Sequence, residues 1–429
     1  MAPRLRLVSG ARMPPQDEDT SSTLAFLEGA RSGIRYAADE LRSTDPADGR
    51  TLLARYDLEV AGGRLTREVI AGRRGGLWRW EELLPVRRRS FITSLGEGST
   101  PLLPPARLAR KLGLSGLHIK AEGVNPTGSF KARGMAVAVS RAAELGAAHL
   151  VAPSAGNAAG ALAAYAAAAG VRATVVMPAD APAANQLEAL ACGARLILLD
   201  GLISDCGKLA RLLGEKTGAF DMATLREPYR VEGKKTLGFE LAEDFGWSLP
   251  EAVVYPTGGG TGLIGMWKAF EEMEALGLIG PARPRMYAVQ SEGCAPIVRA
   301  FEQGAEFADP WSGAKTRAAG IRVPSALGDH LILECLRRSG GGAIAVPEAE
   351  IDAMQIYAAE HGAGFLCLES AAALAALPVL REQGLIDRDE RVALFDTGAG
   401  FKSEPPSMKR PAVLPNDPSA WVDLIATLD

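Results

Sequence analysis

The stretch Asn125-Pro126-Thr127-Gly128-Ser129-Phe130-Lys131-Ala132-Arg133-Gly134 decides the fold. Asn, Pro, Thr, Gly and Ser favour turns, and this run lies between an apolar segment at 117–120 and a helical pattern that continues from Met135. Lys131 is therefore predicted in the first turn of a helix, where the positive end of the helix dipole disfavours an ammonium group and lowers the lysine pKa. A neutral lysine amine can attack a carbonyl carbon. The same pattern also fits an ordinary exposed lysine near a helix start.

The composition bounds the class of protein. The chain has 429 residues, of which 47% are hydrophobic and 23% are charged, so we expect a globular protein of two or three domains. The net charge of −4 indicates no basic face for nucleic acid. The five cysteines are scattered without close pairs, which favours a reducing compartment over a disulfide or metal framework. Since no apolar run of about 18 residues occurs, we expect no membrane span and a cytoplasmic protein.

The N-terminal part divides into an arm and a small β unit. Residues 1–20 contain three arginines and three prolines, so we expect a flexible arm. Residues 21–95 are predicted to form a short-stranded β unit, and a short helix with an aromatic face at 77–85 would clamp it onto the main body.

Two pairs of turn residues in this unit have a suggestive spacing. Gly29 and Ser32 are three positions apart, and so are Asp45 and Asp48. A zinc ribbon would keep four cysteines at such spacings, but none of these residues carries a thiol. We therefore expect two ordinary turns and no metal site.

From residue 117 onward, short apolar runs alternate with longer helical segments. The apolar runs lie at 149–152, 173–177, 196–199, 252–255, 286–289 and 392–395. This alternation predicts an α/β fold of buried parallel strands, with ligands at the carboxyl ends of the strands. We predict a catalytic body at 96–403, with a smaller α/β domain at about 135–225 inserted in the larger one, and a C-terminal tail at 404–429.

A loop at 153–160 follows one predicted strand and opens a helix of small residues. Ser154 and the free N–H groups of the helix start could hold a carboxylate. Asn157 brings an amide suited to a phenolic oxygen. The alternative is a plain helix cap followed by a close-packed alanine helix.

Two further loops also follow predicted strands. Gly258-Gly259-Gly260-Thr261-Gly262 allows the backbone to approach an anion at a helix start, which is typical of a phosphate cradle. It lacks the spacing of a P-loop or of a dinucleotide fold, and the alternative is a merely flexible loop. Thr397, in the loop at 396–400, could place a hydroxyl against a ring nitrogen.

Together these groups suit pyridoxal phosphate. Lys131 would meet the aldehyde, the glycine turn the phosphate, Asn157 the ring oxygen and Thr397 the ring nitrogen. A neutral hydroxyl partner leaves the ring nitrogen largely unprotonated, which favours elimination and replacement over transamination.

The chain resembles the fold-type II pyridoxal-phosphate enzymes, which are similar to the tryptophan synthase beta chain, and most of all the threonine synthase family. The motifs that carry the resemblance are Glu97-Gly98-Ser99-Thr100-Pro101-Leu102, the stretch at 125–134, the loop at 154–158, Tyr229-Arg230-Val231-Glu232-Gly233-Lys234-Lys235-Thr236, the glycine turn at 258–262 and the loop at 397–402. The resemblance implies two α/β domains with parallel sheets and a small N-terminal unit that matches a degenerate zinc ribbon. It also implies a homodimer.

The resemblance implies a role for each motif. Lys131 would bind the cofactor and move protons. The remaining cofactor-binding residues would be Asn157, Gly258, Gly259, Gly260, Thr261, Gly262 and Thr397. The residues that would bind a small amino-acid substrate are Ser154, Ala155, Gly156, Ala158, Arg230 and Lys234. In this family the reaction converts O-phospho-L-homoserine and water to L-threonine and phosphate.

The chain departs from the family pattern at several positions. Ala132 stands where the family usually has an aspartate, and Ala158 stands where it often has a threonine. The run 224–227 replaces an Asn-Ser-x-Asn motif that helps to hold the substrate phosphate, while Arg230 is kept. Arg226, Lys234 and Lys235 could compensate with positive charge.

These departures leave three functions open. The first is a threonine-synthase-like lyase. The second is an ammonia-lyase or β-replacement enzyme that acts on serine, threonine or a related amino acid and needs no second phosphate site. The third is a non-catalytic binding protein with the same fold, against which the retained Lys131 argues.

Overall fold

The computed structural model describes residues 19–404, 406, 408, 411 and 413–425. Most of the predicted arm at 1–20 and part of the predicted tail at 404–429 therefore lie outside the described residues. The strands are β1 (Leu24–Gly29), β2 (Arg35–Tyr36), β3 (Leu52–Tyr56), β4 (Leu102–Leu103), β5 (Gly116–Ala121), β6 (His149–Pro153), β7 (Arg172–Pro178), β8 (Arg195–Leu199), β9 (Phe220–Asp221), β10 (Ala252–Pro256), β11 (Arg285–Ser291), β12 (Gly342–Val346) and β13 (Arg391–Asp396).

Each strand from β4 to β12 is followed by one or two α-helices. The α-helices are α1 (Leu58–Gly62), α2 (Arg67–Gly72), α3 (Ala106–Lys111), α4 (Lys131–Glu144), α5 (Asn157–Ala168), α6 (Ala183–Ala191), α7 (Ile203–Thr217), α8 (Tyr229–Asp244), α9 (Thr261–Ala275), α10 (Pro296–Glu302), α11 (Asp329–Arg338), α12 (Glu348–Glu360), α13 (Leu368–Glu382) and α14 (Pro418–Ile425). Short 3-10 helices lie at Leu77–Leu83, Arg89–Phe91, Glu122–Val124, Pro126–Gly128, Ala319–Ile321 and Gly400–Lys402. None of the described helices is long and apolar enough to cross a membrane.

The larger sheet has the strand order β12-β11-β10-β13-β5-β4. Its strands are parallel except for β4, which pairs antiparallel with β5 at one edge. Helix α13 packs against β10, β11 and β13. The central strands β10 and β13 are almost entirely buried, as expected for a parallel sheet with helices on its faces. The parallel strands predicted at 252–255, 286–289 and 392–395 are thus confirmed.

The second sheet is also parallel, in the order β8-β7-β6-β9. All four strands come from the region between residues 149 and 221. The prediction of a buried strand at 196–199 was wrong in one respect. Leu198 is 48% exposed, and it lies on β8, the edge strand of this sheet. The domain boundaries drawn from the sequence remain a prediction.

A three-stranded antiparallel sheet, β2-β1-β3, forms the N-terminal unit. Its two turns meet at the buried carboxylate of Asp45, which accepts hydrogen bonds from Ser32 Oγ at 2.5 Å, from Tyr36 Oη at 2.6 Å and from the Ala47 backbone N–H at 2.8 Å. Burial raises the pKa of Asp45, but these hydrogen bonds outweigh it and hold the pKa below the ordinary value.

Gly29 lies directly under this carboxylate. A Cβ at Gly29 would fall 1.9 Å from Asp45 Oδ2 and 2.2 Å from Ser32 Oγ, so only glycine fits. The turns expected to be ordinary are therefore joined to each other by a side chain. Asp48 is exposed and accepts one backbone hydrogen bond, from Arg50 at 2.8 Å. In the described part of the chain, no group of three or more His, Cys, Asp or Glu side chains is arranged to hold a metal ion, and kinship with a zinc ribbon stays a prediction.

The short helix expected at 77–85 is the 3-10 helix at Leu77–Leu83. Its Trp80 is fully buried and stacks on Phe239 of α8, with the ring centroids 4.5 Å apart. Tyr56 of β3 covers Lys235 of α8, whose Nζ lies 3.9 Å from the ring centroid. The N-terminal unit thus packs on α8, the helix that also carries Arg230.

Replacing Asp45 by alanine should destabilise the N-terminal unit. The change leaves Ser32, Tyr36 and one backbone N–H without their charged acceptor, so we expect a loss of about 2–4 kcal/mol in the free energy of unfolding at neutral pH. Urea denaturation followed by tryptophan fluorescence measures this. The matched control is Asp48→Ala, which removes one exposed bond and should have a much smaller effect. Equal effects of the two variants would contradict the role given to Asp45.

Candidate active site

The loop that carries Lys131 is held by backbone pairing to the loop that carries Thr397. The Phe130 N–H donates to the Thr397 carbonyl at 3.1 Å, and the Ala399 N–H donates to the Gly128 carbonyl at 2.9 Å. Thr127 adopts a positive φ of 62°, a strained conformation for a β-branched residue. The predicted residues Lys131 and Thr397 are therefore brought together, although they are far apart in the sequence.

A buried ion network fixes the start of this loop and the first turn of α4. The Arg133 guanidinium binds Glu122 through Nε at 2.6 Å and Nη2 at 2.7 Å, and binds Glu240 through Nη1 at 2.6 Å and Nη2 at 2.7 Å. Asn125 donates to Glu122 Oε2 at 2.8 Å. All four side chains are buried. Because the carboxylates surround Arg133, its pKa is raised well above the ordinary value despite burial. Sequence patterns do not reveal this network, because Glu240 is distant in the chain.

Lys131 is the first residue of α4, as predicted. Burial and, after it, the nearby positive charge of Arg230 lower its pKa to about 7, while Glu369 and Cys367 oppose the shift. The direction agrees with the sequence prediction, but burial and Arg230 replace the helix end as the main cause. The amine lies 4.0 Å from the centroid of the Phe130 ring.

Lys234 of α8 contacts the same loop. Its Nζ donates to the Phe130 carbonyl and lies 4.4 Å from the centroid of the Phe130 ring. Burial and the charges of Lys131 and Arg230 hold the pKa of Lys234 well below the ordinary value. The side chain is only 1% exposed. In this arrangement Lys234 supports the backbone next to Lys131, and its predicted contact with substrate stays a prediction.

Asn157 is the first residue of α5, directly after the loop at 153–156. Its Oδ1 is buried and has no hydrogen-bond partner, and its Nδ2 lies 3.1 Å from where a Cβ would stand at Gly398. Ser154 Oγ contacts the backbone N–H of Gly156 at 3.3 Å. Since a buried amide group costs free energy until it is paired, Asn157 faces a place suited to a polar ligand.

The glycine turn lies between β10 and α9. Gly260 has a positive φ of 73° and directly precedes α9, so the first N–H groups of that helix have no partners within it. A Cβ at Gly258 would fall 2.7 Å from the Gly320 carbonyl oxygen, and one at Gly262 would fall 2.0 Å from Tyr255 Oη. Close contacts with the protein itself therefore require glycine at positions 258 and 262, whether or not a ligand is bound. The helix predicted to follow this turn is confirmed, and it begins at Thr261.

Arg230 lies near Lys131 and, through Thr224, near the glycine turn. Its Nη1 donates to the Met222 carbonyl at 2.8 Å and to Thr224 Oγ1 at 3.3 Å. The Thr224 side chain contacts Gly259 closely. The guanidinium is 3% exposed and its Nε has no partner. A buried cation with an unused donor is suited to an anion.

The other members of the predicted basic cluster point elsewhere. Lys235 binds Glu232 at 2.7 Å and Glu272 at 2.9 Å in the interface of α8 and α9. Arg226 is partly exposed and lies 4.0 Å from Asp221. Arg230 and Lys234 are therefore the members of this cluster that lie beside Lys131.

Comparison with known proteins identifies the family. Residues 93–398 match the family described as pyridoxal-phosphate dependent enzyme. The threonine synthase of Methanocaldococcus jannaschii is 36% identical over 374 residues, which cover 87% of this chain and 91% of that protein. The chain belongs to the threonine synthase family of pyridoxal-phosphate enzymes.

Other relatives agree with this family. The threonine synthase of Mycobacterium tuberculosis is 34% identical over 348 residues, which cover 80% of this chain and 94% of that protein. A solved threonine deaminase has 29% sequence identity and a TM-score of 0.60, covering 71% of this chain and 94% of that one. A maize serine racemase, with 21% identity and a TM-score of 0.61 over 77% of this chain and 92% of that one, shares the fold. The predicted fold type II is confirmed.

The residues fit the cofactor of this family. As a member of this family, the protein is a lyase that depends on pyridoxal phosphate. The site supplies a lysine amine with a pKa of about 7. It also supplies a buried amide without a partner and a helix start with free N–H groups beside a glycine turn. Sequence reasoning missed the support groups Glu122, Glu240 and Cys367, which carry no local motif.

Replacing Arg133 by methionine should destabilise the fold strongly. Two buried carboxylates would lose their partner, and breaking a buried ion pair in this way costs about 3–5 kcal/mol. Arg338→Met is the matched control. Arg338 pairs with Glu271 at 2.9 Å but is 52% exposed, and such a pair contributes less than about 1 kcal/mol. Chemical denaturation of both variants measures the difference, and comparable losses would contradict the role of Arg133.

The rate at which the apoprotein binds pyridoxal phosphate should depend on pH. Only the neutral amine reacts with an aldehyde, so the rate should rise about tenfold per pH unit below pH 7 and level off above the Lys131 pKa. Stopped-flow absorbance of the bound cofactor measures this rate. Lys131→Ala is expected to lose the covalent spectrum at every pH. A plateau that begins only near pH 10 would mean that the lysine is not perturbed.

Proposed function

We propose that the protein converts O-phospho-L-homoserine and water to L-threonine and inorganic phosphate. The observation that carries the proposal is the buried Arg230, which has an unpaired Nε and lies next to a lysine with a pKa of about 7. This combination supplies a base and an anion site in one place. The 34–36% identity to threonine synthases over most of the chain supports the same reaction.

Lys131 Nζ is the proton-transfer group in this proposal. When bound, pyridoxal phosphate withdraws electrons from the carbons that lose protons. Lys131 takes the proton from the substrate Cα and then one from Cβ, and returns protons later in the cycle. A pKa of about 7 lets the same amine both accept and donate a proton near neutral pH.

The remaining residues bind and orient. We assign Asn157 to the phenolic oxygen, Thr397 to the ring nitrogen, and the turn at 258–262 with the start of α9 to the cofactor phosphate. The start of α5 would hold the substrate carboxylate through the loop residues Ser154, Ala155, Gly156 and Ala158. Arg230 would hold the phosphate that leaves the substrate.

We also propose that the enzyme acts as a homodimer in the cytoplasm. The cysteines of the described chain are all free, and four of the five are buried, which agrees with a reducing compartment. The family resemblance supports the dimer. Light scattering coupled to size exclusion measures the assembly, and a monomer at working concentration would contradict this part of the proposal.

A second function, that of a serine or threonine ammonia-lyase, has one observation in its favour. Lys234 and Lys235 are bound to protein groups, so Arg230 remains as the main buried cation for a second phosphate. An ammonia-lyase needs no such site. The two functions differ in product: phosphate from phosphohomoserine, or a 2-oxoacid and ammonia from threonine or serine.

Arg230→Met should separate the two functions. We expect the value of kcat/KM for phosphate release from phosphohomoserine to fall about 10- to 100-fold, the cost of losing a hydrogen bond to a charged group. Any residual turnover of threonine should fall less. Because Arg230 also lowers the Lys131 pKa, both assays are run at neutral and alkaline pH. Arg226→Met removes a neighbouring, partly exposed charge and should lose less. Absence of phosphate release by the wild type at any substrate level would refute the threonine synthase function.

A further inference from the structure

Four buried side chains form a continuous hydrogen-bond chain behind Thr397. Thr397 Oγ1 lies 3.6 Å from Cys367 Sγ, which lies 3.0 Å from Ser370 Oγ. Ser370 Oγ donates to Asp396 Oδ1 at 2.9 Å. None of the four side chains is more than 6% exposed. We call Cys367, Ser370 and Asp396 the thiol chain.

The hydrogen bonds of Ser370 determine the direction of the chain. Its Oγ already accepts the Thr397 backbone N–H at 2.9 Å. A hydroxyl has one proton and two lone pairs, so when it donates to an ionised Asp396, its second lone pair can only accept the Cys367 proton. The sulfur then accepts the Thr397 proton, and the Thr397 oxygen turns a lone pair towards the site. In this state Thr397 can accept a hydrogen bond from a protonated ring nitrogen.

The reverse order is equally complete. A protonated Asp396 donates to Ser370, Ser370 donates to Cys367, and Cys367 donates to Thr397. The Thr397 proton then points into the site and suits a neutral ring nitrogen. Going from this second order to the first moves one proton along each hydrogen bond. The carboxyl of Asp396 loses a proton, the ring nitrogen gains one, and Ser370, Cys367 and Thr397 each give one proton and take one.

We propose that the thiol chain lets Asp396 and the ring nitrogen of the cofactor share one proton through Thr397. This inference rests on the proposed placement of the ring nitrogen at Thr397. It makes Thr397 the end of a chain that reaches a carboxyl group, instead of an isolated neutral hydroxyl. Cys367, Ser370 and Asp396 are positioning residues, because they act through Thr397.

The surroundings of Asp396 suit a shared proton. Burial is the main cause that raises its pKa to about 7, and the carboxylate of Glu122 raises it as well. The hydroxyl of Ser370 and the backbone N–H groups of Gly398 and Gly123 act in the opposite direction. Around Cys367, burial, Glu369 and Asp396 raise the thiol pKa well above its ordinary value. The thiol therefore keeps its proton and can pass hydrogen bonds in either direction.

The test uses the ring nitrogen itself as the reporter. The holoenzyme is prepared with pyridoxal phosphate labelled with ¹⁵N in the ring, and the ¹⁵N chemical shift distinguishes a protonated from a neutral pyridine. Asp396→Asn cannot ionise and can donate to Ser370 through its amide. We expect this variant to move the ring signal towards that of neutral pyridine.

Cys367 supplies the decisive comparison. In a Cys367→Ala background the chain is broken, and Asp396→Asn should no longer change the ring signal. Cys367→Ser keeps a donor and an acceptor and should restore the response. Cys206→Ala, which truncates a buried cysteine in the second sheet, is the control and should leave the signal at its wild-type position.

Three results would overturn the inference. The first is an unchanged ring signal in Asp396→Asn, and the second is an equal shift in the Cys367→Ala background. If the Asp396 variant does not fold, the ring signals of Cys367→Ala and Cys367→Ser are compared directly. Equal ring signals from these two variants would be the third result that overturns the inference. If the cofactor binds but its ring signal does not respond to these substitutions, only this inference is refuted. A protein that binds no cofactor at Lys131 refutes the proposed function as well.

Discussion

The ion pair of Arg133 with Glu122 and Glu240 is the constraint on which the site depends. One fully buried guanidinium joins the 3-10 turn after β5, the first turn of α4 and the C-terminal half of α8. Lys120 adds a second cation, 3.2 Å from Glu240. Buried charges are stable only when they are paired with good geometry, so these elements cannot move apart independently. The strained turn at Thr127 and the position of Lys131 follow from that restraint.

A second network of buried ion pairs holds α8 to α9. Lys235 and Lys268 form a buried quartet with Glu232 and Glu272, at distances of up to 3.0 Å, and Tyr56 of the N-terminal unit covers it. Helix α9 begins at the glycine turn, and α8 carries Arg230. The proposed site for the cofactor phosphate, at the start of α9, and the proposed anion site at Arg230 of α8 are therefore joined by charges as well as by apolar packing, and the N-terminal unit covers this contact.

Local patterns predicted which loops carry chemistry, because turn residues that follow apolar strands are visible in the sequence. They could not predict which side chains meet. Lys234 and Lys235 are adjacent and look like one basic cluster, but successive residues on an α-helix point about 100° apart. Lys234 therefore reaches the Phe130 carbonyl while Lys235 faces α9. Likewise Cys367 meets Thr397 only because α13 begins beside the end of β13, and no spacing in the chain encodes that contact.

The balance of charge at the site ties ligand binding to the strength of the base. Arg230 lowers the affinity of Lys131 for protons, and Lys131 and Arg230 lower that of Lys234, since cations repel one another in a medium that screens poorly. An anion bound at Arg230 cancels part of this repulsion, so it raises the proton affinity of Lys131 at the moment when substrate is present. A phosphate-bearing substrate would thus strengthen the base that acts on it. A substrate without phosphate would leave the amine as weak a base as the surrounding charges make it.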